Sequence, residues 1–143
     1  AAVRPIKPAA VLIAVIDRDE PMVLLTQRTA HLKQHAGQIA FPGGKIEPDE
    51  APEAALVREL AEELGVTVAP GALVPVSFAS APLGDRSLVL LLFEARRWTG
   101  EPRPLDAAEL SWARVDELRQ LPMPPADLPL VEVLARMEAT RSG

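Results

Sequence analysis

The 143-residue chain has no cysteine, which rules out disulfides and thiolate chemistry. No apolar run approaches the roughly 18 residues that a membrane-spanning helix requires. Positive charge is not in excess either. Fifteen Lys and Arg stand against 20 Asp and Glu, for a formal net charge of −5. Broad binding to nucleic acid or to acidic membranes is therefore not expected. A polyanionic ligand would have to be held locally, by metal ions or a few basic side chains. The stretch Ala1 to Pro8 carries Arg4 and Lys7 but no long apolar region before a cleavage-like site, so no signal peptide is expected. A cytoplasmic location is the default expectation. Internal repeats, low-complexity tracts and a domain boundary are also lacking, and this length predicts a single domain.

What is present suits a packed fold. Apolar residues make up 48% of the chain, enough for a core, and many of the 15 prolines mark element ends. Ala10–Ile16 and Met22–Gln27 read as two strands joined by a polar turn. Thr29 to Gln38 reads as a loop, with Arg28, His31, Lys33 and His35 in or beside it. Ile39–Phe41 is a short strand leading into Pro42-Gly43-Gly44, where glycine permits positive φ or close approach to a ligand. Ala72–Ser80 and Ser87–Ala95 form two more strands around a Pro82–Asp85 turn. The second of these is nearly all apolar, as for a strand covered on both faces. Thr99 to Ala108 reads as a loop, Leu110–Val115 as a strand and Asp116–Leu121 as a short helix. The last helix runs from Asp127 to Thr140, with Leu130, Val133, Leu134 and Met137 on one face. Strands flanking one helix, with a second helix at the end, predict an α/β fold: an α/β/α sandwich around a mixed β-sheet.

Gly43 to Val66 carries the chemistry. Glu53 to Leu64 predicts a helix, with Pro52 at its first turn and Gly65 as its stop. Leu56, Val57, Leu60, Ala61 and Leu64 share a side that can pack on a core. Glu59, Glu62 and Glu63, spaced i, i+3, i+4, share another. Neighbouring like charges on a helix cost roughly 0.2–0.5 kcal/mol per pair. A divalent cation would turn that cost into a gain, since hard ions take oxygen ligands. A solvated acidic face is the alternative for three glutamates taken alone.

The glutamates have a fixed setting. Five residues separate Gly44 from Glu50, and seven separate Glu50 from Arg58-Glu59. Leu60, Glu62-Glu63, Gly65 and Val66 follow. This run resembles the Nudix box over its whole length, and the chain resembles a Nudix hydrolase. The resemblance implies the Nudix-type sandwich and hydrolysis of a diphosphate linked to another moiety, using water and a divalent metal, usually Mg²⁺, with Mn²⁺ as the alternative. It implies metal ligation by Glu59, Glu62, Glu63 and the Gly43 carbonyl. Arg58 would orient Glu59 and its neighbours by bidentate pairing, and Glu50 would be a supporting carboxylate. The metals would neutralise bridging phosphates and lower the pKa of a bound water. Lys45 is either a phosphate contact or an exposed lysine.

At the level of substrate the resemblance divides near Gly44. Leu24 to Gly44, LLTQRTAHLKQHAGQIAFPGG, resembles coenzyme A diphosphatases. RRWTGEPRPLDAAELSWARV and LPMPPADLPLV resemble MutT-like nucleoside triphosphate diphosphatases. The second resemblance implies that Asp127 faces a base, that Asp106 is a loop carboxylate able to reach the metals, and that Arg28 lies near the nucleotide. Ala40 departs from that group, which usually has Glu there. For Asp127 a helix N-cap is the competing role. His31 and His35 read as exposed loop residues or substrate contacts. The expected substrate is a small nucleoside triphosphate, an oxidised purine or cytosine nucleotide included. The alternatives are a coenzyme A diphosphatase, a Nudix domain that binds nucleotide without cleaving it, or an inactive recombined chain. Monomer and homodimer are both open.

Overall fold

The structure is a computed structural model that describes residues 6–16, 21–27, 38–105 and 109–142. Among the described residues, seven strands form one mixed sheet: β1 (Ile6–Ile16), β2 (Met22–Gln27), β3 (Ile39–Ala40), β4 (Gly43–Lys45), β5 (Val74–Leu83), β6 (Arg86–Ala95) and β7 (Glu109–Arg114). The main order is β3-β2-β1-β6-β5, with β4 on β1 and β7 on β2. The β1–β6 pair is parallel, in register from Ile6↔Ser87 to Ala14↔Ala95. The other pairs are antiparallel, including the expected β1–β2 pairing at Val15↔Val23. Two helices cover the faces, α1 (Pro52–Leu64) and α2 (Leu128–Ser142). The expected α/β/α sandwich is what forms.

Each face of the sheet has its own core, because alternate strand residues point to opposite sides. On the α1 side Ala10, Leu12, Leu24 and Phe93 pack with Ala55, Leu56, Leu60 and Leu64. Trp98 and Trp112 extend this layer, their rings stacked 6.2 Å apart. On the α2 side Val11, Val23, Leu25, Leu90 and Leu92 pack with Leu118, Leu130, Val131 and Leu134. β6 thus feeds both cores, as its apolar run predicts.

Several expectations need correction. β1 begins at Ile6, four residues early. Pro8 is accommodated there because its carbonyl accepts the Ile46 N–H at 3.1 Å, and proline needs no donor for that. The fifth strand starts at Val74, after a 3-10 turn over Pro70–Ala72, and runs on to Leu83, so the turn shrinks to Gly84-Asp85. The short helix is a 3-10 segment, Val115–Gln120. On α1, Ala61 is exposed, and on α2 Val131 rather than Val133 is fully buried. The Thr29–Gln38 loop lies outside the described residues except for Gln38.

Candidate active site

The site is built where β4 meets α1. β4 was not expected as a strand, since Gly-Gly-Lys carries no strand propensity. It forms because β1 offers it a partner, with Val11↔Gly43, Ala10↔Gly44 and Ala9↔Lys45 in register. Gly43 is obligatory there, and Gly44 makes room for a side chain. Gly43 has φ +147°, and a Cβ on it would run into the Ala10 carbonyl oxygen. A Cβ on Gly44 would stand 2.6 Å from Oε2 of Glu59. The bare backbone of β4 therefore lets the Glu59 carboxylate lie flat against it.

Arg58 organises the carboxylates around it. Its Nε and Nη2 donate to Oε2 and Oε1 of Glu50, each at 3.0 Å, in a two-pronged pair. Nη1 donates to Oε1 of Glu59 at 3.0 Å and lies 3.6 Å from Oε2 of Glu62. Nη2 also donates to the Lys45 carbonyl at 3.2 Å, which ties β4 to α1. The bond to Glu50 above all, with that to Glu59, holds the guanidinium pKa above its ordinary value, so Arg58 stays charged. Glu50 is lowered from the usual carboxylate value, first by Arg58 and then by the Glu47 N–H that it accepts at 3.0 Å. With both oxygens engaged, Glu50 is a tether for Arg58 and for the turn before α1.

The three glutamates of the helix face take different settings. Glu59 is mostly covered, whereas the Glu62 side chain is 63% exposed. Oε2 of Glu63 accepts the Gly43 N–H at a long 3.4 Å. Among the described residues, no three acidic or histidine side chains already converge on one point where an ion would sit. Glu59 and Glu62 share Nη1 of Arg58, while Glu63 takes the Gly43 N–H. The donor set still suits a hard divalent ion: only oxygens, on one helix face, against a backbone that glycine keeps open.

Asp127 lies in the 3-10 turn Pro125–Asp127 before α2 and is only 7% exposed. Burial raises its pKa to about 6, and the Phe41 N–H donated to its carboxyl partly offsets the rise. This cross-chain bond stands beside the N-cap role expected of Asp127. Ile39 N–H also donates to the Pro122 carbonyl at 3.1 Å, and Leu12 N–H to the Pro42 carbonyl at 2.8 Å. The segment from Ile39 to Gly43 is thus fastened to the 122–127 region at one end and to β1 at the other. Lys45 is exposed at the end of β4. Arg28, His31, His35 and Asp106 lie outside the described residues.

The NUDIX domain matches residues 6–134 of this chain. The chain belongs to the Nudix family. The CTP pyrophosphohydrolase of Escherichia coli is 37% identical over 92% of this Nudix chain and 94% of its own. The 8-oxo-dGTP diphosphatase of the same organism is 33% identical over 92% and 99%. A more local match joins an uncharacterized Nudix hydrolase, NudL, of Yersinia pestis, 48% identical over 55% of this chain and 39% of that one. Among solved structures, the E. coli ORF135 protein superposes with a TM-score of 0.83 at 34% identity, covering 96% of this chain and 94% of its own. This Nudix chain is accordingly a hydrolase with nucleotide pyrophosphohydrolases among its relatives.

Sequence reading did not foresee two parts of the site. One is the Phe41–Asp127 bond, for which no local pattern exists. The other is the docking of residues 99–105 on the end of α1, which the alternating prolines of Glu101-Pro102-Arg103-Pro104-Leu105 could have signalled.

Proposed function

We propose that this Nudix hydrolase cleaves a nucleoside triphosphate to a monophosphate and pyrophosphate, with oxidised purine and cytosine nucleotides as the first candidates. The supporting observation is that relatives named for CTP and for 8-oxo-dGTP match it end to end, across both the box and the Pro-rich region before α2. In this reading Glu59, Glu62, Glu63 and the Gly43 backbone hold Mg²⁺ or Mn²⁺. The bound ion supplies charge neutralisation at the diphosphate oxygens and activation of water. Arg58 keeps Glu59 turned toward β4, and Glu50 keeps Arg58 in place. Lys45 and Arg28 take phosphate oxygens, and Asp106 adds a carboxylate. Asp127 faces the base, where an ionised carboxylate accepts from amino or imino donors of guanine or cytosine. Its bond to Phe41 fixes the carboxyl relative to the Gly43-Gly44 backbone, so base end and metal end share one strand segment. A coenzyme A diphosphatase is the second reading, favoured by the resemblance of Leu24 to Gly44. A binding-only domain is disfavoured by the complete set of box carboxylates.

The test is a substrate panel with Mg²⁺: CTP, dCTP, dGTP, 8-oxo-dGTP, nucleoside diphosphate sugars, dinucleoside polyphosphates and coenzyme A, with products identified by mass. The proposal expects a nucleoside monophosphate and pyrophosphate, and near-complete loss of turnover in Glu59→Gln and Glu63→Gln with the fold retained. Cleavage of coenzyme A to 3′,5′-ADP and phosphopantetheine, with nucleotides untouched, would select the second reading.

A further inference from the structure

After β6 the chain runs back along the end of α1. Thr67 and Thr99 exchange N–H···O bonds of 2.9 and 2.8 Å. Arg103 N–H then donates to the Leu64 carbonyl at 2.9 Å, and Leu105 N–H is shared between the Glu63 carbonyl at 3.1 Å and the Arg103 carbonyl at 2.9 Å. The final carbonyls of a helix have no partner within it. The Gly65 N–H closes on the Ala61 carbonyl, but Glu63 and Leu64 are served from this distant segment.

The sequence of the segment fits the task. In Pro102-Arg103-Pro104-Leu105 the prolines have no N–H, so Arg103 and Leu105 carry the two donors that remain, and both donate to α1. Proline also lowers the entropy lost when the segment docks. Charge adds to this. The last turn of α1 has no basic residue and carries Glu62 and Glu63, an unfavourable sign at a helix C-terminus. The Arg103 guanidinium supplies the missing cation from across the chain. Its Nη2 lies 3.3 Å, and Leu105 Cδ1 3.2 Å, from where a Cβ of Gly65 would stand. Gly65, at φ +70°, thus lets the helix stop and the segment close over it.

We propose that residues 102–105 form a strap that positions the metal-facing turn of α1, with Arg103 and Leu105 as positioning residues. By holding the Glu63 and Leu64 carbonyls, the strap fixes the rotation of the last turn and so the stance of the Glu62 and Glu63 carboxylates. The proposal rests on the reading of Glu59, Glu62 and Glu63 as metal ligands. Neither strap residue touches substrate or the reacting atoms.

The test measures Mn²⁺ binding alone, from the electron paramagnetic resonance signal of the free ion, on the full chain. Five proteins are compared: wild type, Glu63→Gln, Leu105→Pro, Leu105→Ala and the double variant Pro102→Gly/Pro104→Gly. Leu105→Pro removes the N–H that holds Glu63 and should weaken Mn²⁺ binding about fivefold, the scale of one lost hydrogen bond. Leu105→Ala keeps that N–H and should stay within about twofold of wild type. The double variant keeps both donors on a looser strap and should weaken binding about threefold; it decides the matter if Leu105→Pro fails to fold. A general loss of stability would lower the melting temperature without changing the Mn²⁺ affinity of the folded protein. Wild-type affinity in folded Leu105→Pro, or in the double variant where Leu105→Pro does not fold, overturns the strap and leaves the metal face standing. A wild type that does not bind Mn²⁺, or a Glu63→Gln that binds it unchanged, overturns the metal face and the strap with it.

Discussion

Asp127→Asn offers a test in which the pH dependence, rather than the size of a single effect, carries the result. The Asp127 carboxyl titrates near pH 6 in the fold, against an ordinary value of 3.8, because burial penalises its charge. The folded state therefore prefers the protonated form. The stabilisation is complete below about pH 4 and is lost as pH rises through about 6. Above that, ionised Asp127 costs the fold about 3 kcal/mol, from a shift of roughly two units at 1.36 kcal/mol each. Of this, about 2 kcal/mol falls between pH 4.5 and 7.5. Asparagine does not titrate and keeps an oxygen for the Phe41 N–H. Its buried amide adds an offset, but that offset is the same at every pH. The stability of Asp127→Asn relative to wild type should thus rise by about 2 kcal/mol from pH 4.5 to 7.5, or roughly 6 °C in relative melting temperature for a chain of this size. Calorimetric or circular dichroism melts of both proteins at several pH values measure it. A difference that stays flat across this range would refute the reasoning, for it would mean that the Asp127 charge is solvated or paired.

Gly44→Ala should lower turnover by at least about tenfold with only a modest drop in melting temperature, because its methyl group must push the Glu59 carboxylate off β4; steady-state rates beside a melt would show it. Glu50→Gln should loosen Arg58 and make the protein less sensitive to acid. Glu50 has a lowered folded pKa, so its contribution is present above its ordinary value of 4.5 and is lost as pH falls through the lowered one, which acid titration of both proteins followed by circular dichroism can compare.

What the sequence made legible follows from how local each signal is. α1 is bounded by Pro52 and Gly65 and patterned by Leu56, Leu60 and Leu64, all within one segment, so its limits could be read directly. The apolar run of β6 likewise announced a strand covered on both sides. β4 could not be read, because three residues with two glycines form a strand only when β1 lies beside them. Pro8 hid the early start of β1, since a proline argues against a central strand unless its missing donor is not needed. The box spacing revealed Glu59, Glu62, Glu63 and Arg58 as a group, but not that Arg58 spends two prongs on Glu50. The N-cap expectation for Asp127 came from its place before a helix. Its observed partner, Phe41, is more than eighty residues away, and no local pattern encodes it.

The parallel pairing of β1 with β6 has a consequence for how the chain reaches this state. The two strands at the centre of the sheet come from opposite parts of the chain, with paired residues roughly eighty positions apart. Closing so large a loop precedes any reward from the contacts it makes, and folding rates fall as such separations grow. During synthesis β1, β2 and β4 emerge long before β6, with one side of β1 unpaired and apolar. α1 has then only part of its floor beneath it. Native assembly must wait for the Arg86–Ala95 stretch to leave the ribosome, and until then the strands before it are exposed to non-native association.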